Sequence, residues 1–134
     1  TSYADNVVAL AHAKARGASE AIFANTRGEL CEGTGSNIFV VVGDEILTPP
    51  LSSGALAGIT RELVLQWCRA DGIPIREDDL PIEILQKADE VFITSSTRDV
   101  MPVDRVDGRV LSVGPLTKAA AESFARHSAE SMDP

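Results

Sequence analysis

Three stretches of the chain place glycines, hydroxyls and a carboxylate where packing alone gives no reason for them. They are Glu32-Gly33-Thr34-Gly35-Ser36-Asn37, Gly54-Ala55-Leu56-Ala57-Gly58-Ile59-Thr60 and Thr94-Ser95-Ser96-Thr97-Arg98-Asp99-Val100-Met101-Pro102. In the second, a glycine-bearing loop feeds the start of a helix. Unpaired N–H groups and the positive end of the dipole at such a start attract a phosphate dianion, and Gly58 permits close approach. Thr60 could equally be a plain helix cap. The third puts four consecutive hydroxyl residues, Thr94 to Thr97, at the end of an apolar strand, where ligand-binding loops commonly emerge, although hydroxyl clusters also serve turns. From that loop Arg98 has the geometry to take a carboxylate with two parallel hydrogen bonds, unless it is simply solvated. Gly33-Thr34-Gly35 is not a nucleotide fingerprint: the third glycine is missing and a strand, not a helix, follows.

The eight residues Glu32 to Phe39 resemble the signature of the class IV aminotransferases, fold-type-IV pyridoxal 5′-phosphate (PLP) enzymes that include branched-chain and D-amino-acid aminotransferases and 4-amino-4-deoxychorismate lyase. An isolated Glu-Gly would read as a turn acid; the full match argues otherwise. The resemblance implies that Glu32 pairs with the pyridine nitrogen, with Ser36 and Asn37 beside the cofactor. A carboxylate there favours the protonated ring, which accepts the electrons left when a substrate Cα–H bond breaks. Gly54 to Arg61 is similar to the family's phosphate-binding turn, which gives Gly58, Ile59 and Thr60 to the phosphate. Thr94 to Val103 resembles its second phosphate-side loop, with Ser96 aligned on the phosphate ligand, Ser95 next to it, and Thr97 and Arg98 on the substrate side. Tyr3 falls where branched-chain members carry a tyrosine that contacts the ring oxygen, a position that also suits core packing.

The family holds PLP as a Schiff base on a lysine. By the family's spacing that lysine falls just upstream of Thr1, and none of the three lysines here, Lys14, Lys87 and Lys118, matches it. Lys14 is a weak surrogate, since its stem can snorkel outward. The resemblance therefore implies that residues 1–134 are the PLP-binding large domain of a longer protein, without its amino-terminal small domain. Implied with it are an α+β fold with a barrel-like mixed sheet flanked by helices, a small-molecule amino substrate, a homodimer, and an inactive isolated chain. Thr1 to Val7 and the Ser-Ser-Thr-Arg-Asp loop look closer to lyase-like and D-amino-acid members than to the branched-chain group's Gly-Thr-Ala-Ala loop. That points slightly to the lyase, which eliminates pyruvate to give 4-aminobenzoate for folate synthesis. An amino-acid aminotransferase using a 2-oxo acid is the alternative, and a non-catalytic phosphate- or PLP-binding domain a further one.

The elements that must position these residues are legible in outline. Tyr3, Val7, Leu10 and Ala11 recur at helical spacing, which predicts a helix over about 3–16. Glu20 to Ala24 reads as a strand, Asn25 to Gly28 as a turn, and Ile38–Val42 with Glu45–Leu47 as a meander about Gly43-Asp44. Ile59, Leu63, Val64, Trp67 and Cys68 form one helical stripe that ends before Gly72-Ile73-Pro74. Pro81 opens a short helix through Leu85, Val91–Thr94 is a buried strand, and Asp107-Gly108 is a hairpin turn. Pro115 starts a last helix packed through Leu116, Ala119, Ala120 and Phe124, with a tail from His127 that frays unless held.

Composition excludes several classes. At 134 residues and 44% hydrophobic, the chain suits one domain with a real core. A net charge of −8, with no basic stripe, disfavours nucleic acid and anionic membranes. Apolar runs such as Ile38 to Val42 are far short of a span, and Thr1 to Gly17 is too polar for a signal peptide. Cys31, Cys68, His12 and His127 lack the spacing of a disulfide framework or a metal site, so no metal and a reducing cytoplasm are expected.

Overall fold

The computed structural model describes residues 7–13, 18–97 and 99–132. Its centre follows from the β-branched and aromatic run Ile38-Phe39-Val40-Val41, which has no polar face and must be covered on both sides. This run forms β4 (Asn37–Val42), which turns through Gly43-Asp44, with Gly43 at φ 64°, into β5 (Glu45–Thr48). On its other side β4 pairs antiparallel with β7 (Glu90–Ser95), and β7 with β8 (Asp99–Val103). A short β6 (Ile75–Glu77) joins β5 in parallel, giving the order β6-β5-β4-β7-β8.

Alternation along β4 and β7 separates two cores. Ile38, Val40, Val91 and Ile93 point into one, which they share with the second sheet. That sheet has the order β10-β9-β1-β2-β3, built from β1 (Val7–Ala13), β2 (Ala18–Ala24), β3 (Leu30–Gly33), β9 (Arg105–Val106) and β10 (Arg109–Val110). Phe39, Val41 and Phe92 point the other way, under α1 (Ile59–Ala70) and α2 (Pro115–Met132). Phe39 and Phe92 face each other in register and stack with centroids 4.8 Å apart. Two packed sheets with helices on one outer face give the α+β architecture that the sequence implied.

Several local expectations hold. Asp107 (φ 52°) and Gly108 (φ 99°) form the β9–β10 turn, and Pro81 precedes a 3-10 turn over Ile82–Gln86. The helix expected over 3–16 does not form where the chain is described: Val7–Ala13 is a strand. Ala9, Ala11 and Ala13 are buried while Leu10 is exposed, a period of two imposed by pairing with β2 from Val7↔Phe23 to Ala13↔Ala18. Alanine fits either periodicity, so the neighbouring strand decides. The 94–102 segment is also less of a loop than expected. Ser95 and Asp99 pair across β7 and β8, with Ser96 and Thr97 in the turn that follows β7, because Val100, Met101 and Val103 bury against β7. Ile59 leaves the α1 stripe, 78% exposed, and Leu65 takes a buried place on it. The tail from His127 is held: His127 stacks on Trp67 and bonds Asp71 at 3.1 Å, and the helix runs on to Met132.

Burial between α1 and the sheet pushes the Cys68 thiol up to about 11, with the Asp71 charge adding to the effect. A thiol whose pKa is higher folded than unfolded favours the folded state below its unfolded range and loses that contribution as pH rises through about 11. Thiolate fraction alone makes alkylation of native Cys68 at pH 8 roughly 100-fold slower than that of a free thiol. Peptide-resolved iodoacetamide labelling checks this; equal rates in native and urea-unfolded protein would contradict it.

Candidate functional site

Glu32 lies near the end of β3 in one sheet, and Asn37 opens β4 in the other. Between them the chain changes sheets through a tight turn, closed by Gly33 N–H donating to the Ser36 carbonyl at 3.1 Å with Gly35 at φ 67°. Both side chains reach the same residue of the 54–58 loop. The Leu56 N–H donates to Glu32 Oε1, and Asn37 Nδ2 donates to the Leu56 carbonyl at 2.7 Å.

That loop ends at Gly58, the N-cap of α1, where a Cβ would fall 2.4 Å from Asn37 Oδ1. Gly58 brings no side-chain cap, so helix geometry leaves the N–H groups of Ile59, Thr60 and Arg61 without intrahelical acceptors. Thr60 is buried there. Thr94 sits directly across from Asn37 on β7, on the same sheet face, and its buried hydroxyl has no hydrogen-bond partner among the described residues. Ser95 follows, half-buried, with Oγ 3.5 Å from Thr97 Oγ1, while Ser96 and Thr97 are exposed in the turn after β7.

The structure thus gathers Glu32, Asn37, Gly58, Ile59 and Thr60 around Leu56, with the 94–97 hydroxyls at the adjoining strand end. Ser36 does not join them: buried, it donates to Glu20 Oε2 at 3.1 Å. Tyr3 and Arg98 lie outside the described residues. Lys87 and Lys118 are exposed, after the 3-10 turn and on α2, and Lys14 is also outside the described residues.

Sequence reasoning missed Arg61. It is 1% exposed, the largest fully buried side chain among the described residues, and its guanidinium bonds the Pro49 carbonyl at 3.0 Å and the carboxylates of Glu62 and Glu77. Arg61 therefore ties the start of the 49–58 loop to the helix at its end. Its only signal was its place as the last residue of the quoted Gly54–Arg61 motif.

The donor set fits a phosphorylated pyridine. An uncapped helix start and a buried hydroxyl without a partner among the described residues suit a phosphate; a half-buried carboxylate bonded to the same loop suits a protonated ring nitrogen.

The profile of the family described as Amino-transferase class IV matches residues 1–106. The chain belongs to that family. A putative branched-chain-amino-acid aminotransferase of Methanocaldococcus jannaschii is 38% identical over 126 residues, covering 92% of this chain and 44% of the relative. A D-alanine aminotransferase of Bacillus licheniformis is 41% identical over 116 residues, 84% of this chain and 41% of the relative. Among solved structures, an aminotransferase from Brucella abortus bound to PLP superposes with a TM-score of 0.79 at 34% identity, covering 87% of this chain and 41% of that one. A putative 4-amino-4-deoxychorismate lyase from Legionella pneumophila superposes with a TM-score of 0.76 at 28% identity, over 86% of this chain and 43% of that one. The class IV chain described here thus spans about two fifths of the length of the relatives it matches. Among its described residues no helix is long and apolar enough to cross a membrane.

Proposed function

We propose that this chain is the PLP-holding domain of a class IV amino-acid aminotransferase that uses a 2-oxo acid as amino acceptor. The supporting observation is the convergence of Glu32 and Asn37 on one residue, Leu56, in the loop that leads into the uncapped start of α1. In this reading the N–H groups of Ile59 and Thr60 bind the phosphate, with Gly58 allowing close approach and the Ser95–Ser96 end of β7 closing the second side. Glu32 holds a proton on the ring nitrogen. When bound, PLP supplies an electron sink for the electrons of a broken Cα–H bond. Thr97 and Arg98 are assigned to the substrate side, and Tyr3 to the ring oxygen. The lysine that carries the cofactor, a small second domain and the partner of a homodimer are assigned to parts of the protein outside these residues.

The slight preference for a lyase drawn from the 94–99 loop gives way here. The curated relatives named above are a branched-chain and a D-alanine aminotransferase, at 38% and 41% identity, against 28% for the lyase structure. Assays of the intact protein decide. Transfer from leucine or D-alanine that depends on 2-oxoglutarate supports the proposal, and the better donor identifies the subtype. Pyruvate release from aminodeoxychorismate without any oxo acid would restore the lyase. PLP binding with neither activity would leave a non-catalytic binding domain.

A further inference from the structure

Asn37 was expected beside the cofactor, yet its side chain is buried and bonded within the chain. It is 3% exposed, its Nδ2 donates to the Leu56 carbonyl at 2.7 Å, and its Oδ1 occupies the space where a Gly58 Cβ would stand. The same Leu56 gives its N–H to Glu32. One residue of the loop is therefore held at its carbonyl by the start of β4 and at its amide by the end of β3, three residues before α1 begins at Ile59.

A loop of small residues, Gly54-Ala55-Leu56-Ala57-Gly58, has little packing of its own: Leu56 is 55% exposed, and only Ala55 is buried. Backbone in such a segment opens readily unless specific hydrogen bonds hold it. Asn37 itself is rigid, since it is paired into the sheet opposite Thr94. We propose that Asn37 is a positioning residue, not a ligand: through Leu56 it sets the 54–58 loop, and so the distance between Glu32 and the N–H groups that open α1. This rests on the PLP reading for its consequence, because those two features hold opposite ends of one ligand. The loop position then fixes whether phosphate and ring nitrogen are both reached at once.

Asn37→Ser removes the reach to Leu56 without adding charge. Gly58→Ala is the second variant should the first not fold; its backbone, at φ −70°, accepts alanine, but the new methyl must displace Asn37 Oδ1. Both are made in the intact protein. Amide exchange in the cofactor-free form is expected to speed at least tenfold at Leu56, whose N–H is bonded to Glu32, while β4 and β7 stay protected. PLP affinity is expected to fall about tenfold, whereas affinity for pyridoxal, which lacks the phosphate, changes less than twofold. Unchanged Leu56 exchange, or a rise spread through β4 and β7, overturns the proposal. So does an equal loss of affinity for PLP and pyridoxal. Failure of the wild-type protein to bind PLP refutes the cofactor reading separately, and the exchange data alone then decide whether Asn37 sets the loop.

Discussion

Glu32→Gln in the intact protein is expected to lower turnover by on the order of 100–1,000-fold while PLP still binds. The amide keeps an oxygen that can accept the Leu56 N–H, so the loop stays in place and the helix start keeps its hold on the phosphate. What is lost is the negative charge at the ring nitrogen, and a neutral ring is a poorer electron sink. The check is kcat beside the PLP dissociation constant. A large fall in affinity with kcat preserved in saturated protein would assign Glu32 to the loop instead of the ring.

Arg61→Ala is expected to destabilise the domain by about 3 kcal/mol. Removing the side chain leaves a cavity under α1 and takes a donor from the Pro49 carbonyl, while Glu62 and Glu77, both partly exposed, are resolvated. Arg61→Met keeps much of the volume and is expected to cost about 1 kcal/mol, since buried ion pairs replaced by apolar groups often break even. Urea unfolding of both variants distinguishes packing from pairing. If methionine is as damaging as alanine, the hydrogen bond to Pro49 carries the effect. Because Arg61 adjoins Thr60, Arg61→Ala also frees the 49–58 loop at its first residue, so PLP affinity should fall with stability.

The sequence showed most clearly those elements whose own residues leave no choice. Ile38–Val42 and Val91–Thr94 are too uniformly β-branched or aromatic to be anything but covered strands, and Pro115 with an apolar stripe makes α2 unambiguous. It misled where partners decide. Val7–Ala13 is alanine-rich and takes its period from β2, and Asp99–Val103 is a strand because β7 lies beside it. The site was visible as motifs but not as geometry. Glu32, Gly58 and Thr60 announce themselves by type and spacing, whereas the contacts that join them run through the Leu56 backbone, which carries no sequence signal. Ser36 shows the converse: a motif residue whose hydroxyl turns out to serve the buried Glu20.

Titration of the intact protein with PLP shows whether Glu32 and the start of α1 together hold the cofactor. If they do, a saturable visible absorption band appears at one cofactor per chain, displaced by inorganic phosphate and altered in position or intensity by Glu32→Gln. A protein that shows no saturable band, or whose band is indifferent both to phosphate and to Glu32→Gln, would show that they do not.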